Sequence, residues 1–468
     1  MSKRREKVSH RVNAGVFWTV EHLTSPLFLL EVATICLCAF GLTMVFSASS
    51  IELVDADAAS YRTAMNQAIF MALGAAAFFA LRHMGANTLM QFRWLAGLSA
   101  FAVVLLVLVL VAGTNTNGAT RWLQVGPFSL QPSEFAKITI VMACAHYFTR
   151  CAEGDLRLPD CGMRLLLPVV LPLGLIFAEK DLGTLIIIAA ALFLMAYLAG
   201  AKLRYLIPTA LVLVVLAGLA ISFASYRSAR FATWLDPEAD YYGDGWQSIH
   251  GFRALASGGF FGLGLGESRQ KYSYLPEAEN DYIFAIIGEE LGFVGCIVLI
   301  GLFAFYGFCG FRIAYGARKR DDLQASLLAS SLTVLIEFQA FLNMAGVTGL
   351  LPLTGRPLPF ITAGGSSIIS CLIMTGLIAG VARDNAADVR EGRERRRAHT
   401  KRGLSVVEGG RSREEGGTAR PPLRVPGAIM QGGASAGRDS AVDARWDARP
   451  PRDGVDVRES QDEERSTR

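Results

Sequence analysis

The sequence predicts an all-α polytopic membrane protein of about ten transmembrane helices. Three observations carry this: 52% of the residues are hydrophobic, the mean hydropathy is +0.36, and the apolar residues fall in long uninterrupted runs. No single water-soluble core hides such runs, so the chain needs lipid as its solvent. Stretches long enough to cross a bilayer lie at 25–48, 64–82, 94–112, 133–149, 164–179, 182–200, 203–223, 282–311, 323–345 and 363–383. Between the seventh and eighth stretches lies a large segment, 224–281, expected outside the cytoplasm. Residues 1–24 carry charges and lack a short apolar core with a small-residue cleavage site, so the first span is expected to act as its own insertion signal.

Orientation follows from Lys and Arg, which are retained on the cytoplasmic side. With Lys3, Arg4, Arg5 and Lys7 inside, the inner loops hold Arg82 and Arg93, then Arg150, Arg157 and Arg164, then Lys202 and Arg204, then Arg312, Arg318, Lys319 and Arg320. The short outer loops hold one basic residue each: Arg62, Arg121, Lys180 and Arg356. An even number of spans also puts the basic run Arg393 to Arg397 inside, so both termini are expected in the cytoplasm. The net charge of +4 therefore reports topology and not nucleic-acid binding. Of the cysteines, Cys36, Cys38, Cys144, Cys296, Cys309 and Cys371 lie in spans, and Cys151 and Cys161 lie in an inner loop. Cys151 and Cys161 lack metal-ligand spacing, and a reduced, structural role is the reading. Past residue 384 the composition turns to Arg, Glu, Asp, Gly, Ser and Pro with Trp446 the single aromatic, which cannot offset its ordering entropy by burial. The domain organisation expected is a cytoplasmic segment 1–24, a membrane domain 25–384 and a disordered cytoplasmic tail 385–468.

Chemistry is expected at the outer face, where LPEAENDYIFAIIGEELGF places Glu277, Glu279, Asp281, Glu289 and Glu290 at the mouth of, or inside, the eighth span. Asp281 stands where a helix N-cap would, and capping alone explains an Asp there. Against that, like charges crowded in a half-dry site raise one another's pKa and make a carboxylate able to take a proton from a hydroxyl. Glu289 and Glu290 lie about two turns deeper, where an acid faces a cavity or a cation. Lys137 or Arg121 is the partner expected, and a helix-helix contact explains the pair as well as catalysis does. In GATRWLQVGPFSLQPSEFAK, Glu134 and Lys137 fall one turn apart on one helix face. Such a pair neutralises itself for entry into lipid; a fixed Lys and Arg beside an outer cavity would also bind a diphosphate. In AEKDLGT, Asp181 opens the sixth span as cap or ligand. In GLLPLTGRPLPFITAGGSS, a Pro and Gly loop at membrane depth must be buried in protein or line a cavity. The glycines of SGGFFGLGLGESRQK follow no buried strand, which rejects a nucleotide loop in favour of a packed re-entrant or amphipathic element.

Taken together, GATRW with QPSEFAK, KDLGT, SGGFFGLGLGESRQK with YLPEAENDYIFAIIGEELG, and GLLPLTGRPLPF with GGSS resemble the signatures of the SEDS family (shape, elongation, division and sporulation), in that family's order and from about Pro26 to Asp384. GLTMVFSASS and the PEA after Leu275 are more similar to the division branch than to the elongation branch. The resemblance implies a peptidoglycan glycosyltransferase that polymerises lipid II in septal synthesis, with Asp281 matching the family's essential Asp and serving as general base. It implies substrate contacts at Arg121, Glu134 and Lys137, and the same blocks offer Trp122, Lys271, Glu277, Ser366 and Ser367. The partners implied are a class B penicillin-binding protein and other division proteins, in the plasma membrane and with no nucleic acid. No cofactor is demanded; a divalent cation would offset diphosphate charge as Arg121 and Lys137 do. The chain departs from the family's pattern at Glu279 and Asn280, where His-Thr is common, and at Lys180, where Pro is. It departs also at His250 and Gly251 and at Arg356, where a small apolar residue is common. The competing readings are a lipid II flippase, whose polar groups would run through the full depth of the membrane, an elongation-type polymerase, and an inactive division scaffold.

Overall fold

The computed structural model describes residues 25–387, apart from 56–61, 117–118, 127, 157, 223–224, 244, 273 and 277. The expected N-terminal segment 1–24, nearly all of the expected tail and Glu277 lie outside the described residues.

Each apolar run forms a helix because straight-chain and branched apolar side chains satisfy the backbone internally, as lipid requires. In chain order the long helices are α1 (Pro26–Asp55), α2 (Arg62–Met84), α3 (Phe92–Ala112) and α4 (Pro132–Ala152). Next comes α5, made of Leu158–Leu165, a π-turn at Leu166–Val170 and Leu171–Ala178. Pro168 inside that turn lacks the N–H that a regular helix would use there, which accounts for the irregularity. Then follow α6 (Leu182–Leu198), α7 (Leu203–Ser222), the shorter α8 (Ser225–Leu235) and α9 (Trp246–Ser257), then α10 (Ile283–Arg318), α11 (Leu323–Val347) and α12 (Gly365–Ala387). Among the described residues seven helices are long and apolar enough to cross a membrane, and α6 and α7 are shorter apolar helices. α4 is missing from the seven because it is comparatively polar, and most of its residues are buried among other helices rather than facing lipid. α10 packs on α11 and α1, while α4 packs on α3, α11 and α6. α7, in contrast, contacts chiefly α6 and α8 and exposes Leu211, Val212, Val214 and Leu216. All eight cysteines are free.

Two features escape the helix count. The loop between α3 and α4 is a small antiparallel sheet, β1 (Thr114–Thr116), β2 (Ala119–Val125) and β3 (Phe128–Leu130), in the order β1-β2-β3. Its β2–β3 turn holds Gly126 at φ 63, a value glycine takes without cost. The second feature is a break in α10 at Gly292 (φ 68, ψ −166), which separates a short buried half-helix from the long span. There the glycine-rich segment after α9 lies against the broken backbone: the amides of Leu263 and Gly264 donate to the carbonyls of Glu289 (2.9 Å) and Glu290 (3.0 Å), and those of Phe293 and Val294 donate to Gly259 (3.0 Å) and Phe260 (3.2 Å). This satisfies the groups that the break frees. It also explains the glycine density, since a Cβ on Gly258 would lie 1.9 Å from the Gly288 carbonyl oxygen and one on Gly262 would lie 2.1 Å from that of Glu290. The glycines are there for close backbone approach and not for a phosphate.

Gly258 has an ordinary helical φ, so only steric overlap penalises a side chain at that position. Gly258→Ala is expected to lower the thermal midpoint of the detergent-solubilised protein, by a destabilisation of about 1–3 kcal/mol. Gly259→Ala, with nothing within 4 Å of its Cβ, tests the separate cost of its positive φ, about 1 kcal/mol.

Candidate active site

One end of the helix bundle gathers the start of α4, the α5–α6 junction, the stretch before α10, the end of α11 and the loop 348–364. Its centre is Arg356, which is 3% exposed. The loop carries no regular structure, so its charge depends on side chains from the surrounding helices. The guanidinium donates through Nη1 to Asp181 Oδ2 at 3.0 Å and through Nη2 to Glu134 Oε1. Glu134 then receives Lys137 Nζ at 2.8 Å and the Ser370 hydroxyl at 2.9 Å on its other oxygen, and Lys137 donates to Gln339 Oε1 at 2.7 Å. Asp181 caps α6 by accepting from the Thr184 amide at 3.2 Å and also takes the hydroxyls of Thr184 (2.7 Å) and Ser133 (3.2 Å). Burial works to raise the Asp181 carboxyl, and Arg356 and Arg121 outweigh it and hold the group below the usual carboxylate range. The aliphatic arm of Arg356 crosses Gly183, where a Cβ would stand 2.8 Å from its Cδ. The glycine of Asp-Leu-Gly-Thr thus makes room for the arginine.

Asp281 lies beside this network and is half-buried. It is not the cap of α10, since the N-cap residue is Tyr282 and no side chain caps there. Its backbone is held by Asn343, whose Nδ2 donates to the carbonyls of both Asp281 and Arg356 at 2.9 Å. Two residues earlier, the Glu279 carbonyl accepts from the Ala363 amide at 3.1 Å. The carboxylate shares a surface with Arg230 of α8: at Gly355 (φ 64) a Cβ would meet Arg230 Nη1 at 3.1 Å and Asp281 Oδ2 at 3.2 Å. The guanidinium also donates to the Leu353 carbonyl at 3.3 Å. So the acid, a cation and a glycine hollow come together at the edge of the buried network.

The remaining expected residues divide. Arg121, half-buried on β2, directs Nη2 to the Lys180 carbonyl (2.7 Å) and Nε to that of Glu179 (3.4 Å). Trp122 is half-buried beside it, its carbonyl accepting from Thr114. Lys137 has no exposed surface and is held by Glu134 and Gln339, so it frames the site from inside instead of facing an open groove. Lys271 is likewise buried. Its ammonium donates to Glu290 Oε1 (2.9 Å) and to the carbonyls of Gly266 (2.7 Å) and Ser47 (3.3 Å). This corrects the expected partner of the deep acids. Glu290 pairs with Lys271 and with the Ser47 hydroxyl of α1, while Glu289 accepts from Ser257, Ser268 and the amides of Arg269 and Gln270. Neither reaches Lys137 or Arg121, because the break at Gly292 turns both toward the glycine-rich loop. The Ser366 hydroxyl accepts from the Gln131 amide at 3.0 Å and donates to the Ser129 carbonyl, tying α12 to the start of α4, and Ser367 is buried next to it. Among the described residues no group of three or more His, Cys, Asp or Glu forms a metal-ligand set.

Sequence reading overlooked Arg230, Gln339 and Asn343, which lie in no motif it singled out, and it marked Arg356 as an outer-loop cation and a departure from the family pattern without giving it acidic partners. A charge in a loop that must be buried requires acidic partners, and that signal was present. The departure at Lys180 also acquires a reason: its φ is +58, and proline, locked near −65°, cannot adopt it.

The family model described as cell cycle protein, FtsW/RodA/SpoVE, matches residues 28–387. The chain belongs to this family. It is 36% identical over 357 residues to the probable peptidoglycan glycosyltransferase FtsW of Trichlorobacter lovleyi, covering 76% of this chain and 92% of that one. It is 36% identical over 361 residues to the stage V sporulation protein E of Bacillus subtilis, covering 77% and 98%. Among solved structures it is similar to a chain reported under "Structural coordination of polymerization and crosslinking by a peptidoglycan synthase complex", with TM-score 0.61, 27% identity and coverage of 76% of this chain and 97% of that one.

The buried pairs set stability. Lys271→Met strands Glu290 without its cation and is expected to cost about 3–5 kcal/mol. Adding Glu290→Gln should recover part of that loss in the double variant, a coupling read from thermal unfolding of all three proteins.

Proposed function

We propose that this chain polymerises lipid II into glycan strands at the outer face of the plasma membrane during septal wall synthesis. The observation that carries the reading is Asp281 itself: a half-buried acid whose main-chain carbonyl is held by Asn343, set beside Arg230 and next to a cluster in which Arg121, Lys137 and Arg356 stand against Glu134 and Asp181. An acid at the edge of a cationic, mostly dry site is suited to two tasks at once. Asp281 removes the proton from the acceptor sugar's 4-hydroxyl as that oxygen attacks the donor's anomeric carbon. The bond to the polyprenyl diphosphate breaks in the same displacement, inverting the α-linked donor to a β-1,4 product, and the proton leaves Asp281 to water. Cationic charge at the site offsets charge growing on the departing diphosphate.

The buried geometry supports a different division of the roles implied by the motifs. Arg121 is the half-buried cation with backbone carbonyls as acceptors, so it faces the diphosphate, while Lys137, Glu134 and Arg356 hold the frame. Support for a crosslinking partner comes from the similar chain of the synthase complex: a class B penicillin-binding protein would take the nascent strand. With the basic loops inside, the site is external and both termini are cytoplasmic, at the division septum with the other division proteins.

The test is polymerisation of labelled lipid II by the purified full-length protein with its transpeptidase. Asp281→Asn should lower the rate by about 10² to 10⁴ at an unaltered thermal midpoint. Equal polymer from wild type and variant would remove Asp281 from the chemistry. Movement of lipid II across vesicles that persists in the variant would instead indicate transport.

A further inference from the structure

Glu179 stands one residue from Lys180 at the α5–α6 junction, and its side chain takes no part in the bonding just described. Its side chain is fully buried, and both of its carboxyl oxygens lack a hydrogen-bond partner among the described residues. The groups around it are charged. Asp181 and Lys180 follow it in the chain, Arg121 reaches it from β2, and Arg356 reaches it from the loop. A buried carboxylate with no donor is costly, and two guanidiniums within range would normally be drawn into bonds with it. Neither is: Arg356 is committed to Glu134 and Asp181, and Arg121 bonds the Glu179 and Lys180 carbonyls of the main chain. Burial pushes the Glu179 carboxyl up to about 8, Asp181 adding to the shift and Arg121 and Arg356 opposing it.

The charge arithmetic makes this state matter. Lys137 and Arg356 offset Glu134 and Asp181 by direct ion pairs, whereas Arg121 bonds main-chain carbonyls, so its charge has no ion-paired carboxylate among the described residues. An ionised Glu179 would cancel it, and Arg121 is the cation whose side chain has no carboxylate of its own in the network. We propose that Glu179 is a positioning residue that works in its protonated form, keeping the Arg121 charge uncompensated and available to the donor's diphosphate. Loss of its proton turns the guanidinium inward onto the new carboxylate and weakens diphosphate binding. The inference rests on the polymerase reading for the identity of the ligand, but not on Asp281 as the base.

The experiment measures KM and kcat for lipid II between pH 6.5 and 9 with the full-length protein and its transpeptidase, in wild type and Glu179→Gln. Wild-type KM should rise about fivefold or more from pH 7 to pH 9, as expected when one unit charge beside the ligand is cancelled, with a smaller change in kcat. Glu179→Gln, an isostere that cannot ionise, should hold its pH 7 KM across the range. The same alkaline rise in both proteins would overturn the proposal, as would a Gln variant whose KM at pH 7 already matches wild type at pH 9. Direct binding of undecaprenyl diphosphate at pH 7 and pH 9 makes the same comparison without turnover. Should no protein polymerise, the proposed function fails, and the binding curves still decide Glu179: loss of affinity with pH in wild type alone supports it, and parallel curves refute it.

Discussion

The buried bridge from Glu134 through Arg356 to Asp181 is the constraint on which the arrangement of this end of the molecule depends. It joins the first turn of α4, the N-cap of α6 and an irregular loop that has no ladder of its own to fix it. Two carboxylates in a dry site repel one another, and one guanidinium lodged between them turns that repulsion into attraction on both sides. The loop then becomes a fixed surface. Asn343 copies its position to Asp281 by holding one carbonyl from each. Asp281 is placed by backbone bonds that lead back to Arg356, and its carboxylate lies beside Arg230 at the turn of Gly355.

The bundle was legible from hydropathy because lipid allows few alternatives to a helix. The outer loops were less so. Residues Thr114 to Leu130 read as an outer loop, and the structure makes it a sheet in which one seven-residue strand pairs with two strands of three residues. Hydropathy also treats 282–311 as one run, while Gly292 breaks it. That break depends on the Gly258 to Gly266 segment lying alongside, a contact between pieces of chain that local periodicity cannot register.

The site was legible in its acids and not in their partners. Asp281, Glu134 and Lys137 stand out because charge near lipid is expensive, and the spacing of Glu134 and Lys137 already pairs them. Glu289 and Glu290 stood out equally, yet their partners lie on Ser268 and Lys271 in the segment before α10 and on Ser47 of α1. Arg230 offers no spacing rule at all, and only the turn at Gly355 brings it to Asp281. Position along a chain identifies which groups need neutralising, and tertiary packing chooses what does it.

The clip formed by Ser47, Lys271 and Glu290 carries a consequence for biosynthesis. Ser47 belongs to the first span to emerge, while its carboxylate partner is made 243 residues later. Because chains are made from the N-terminus, α1 must wait in the bilayer with that contact unmade. Lys271 and Ser268 precede Glu290 and Glu289 by 19 and 21 residues, so the acids meet their neutralising groups within one short hairpin as soon as they are synthesised. The hairpin closes its own charges first and docks on the waiting helix afterwards, which makes insertion of two adjacent glutamates into an apolar environment a local event.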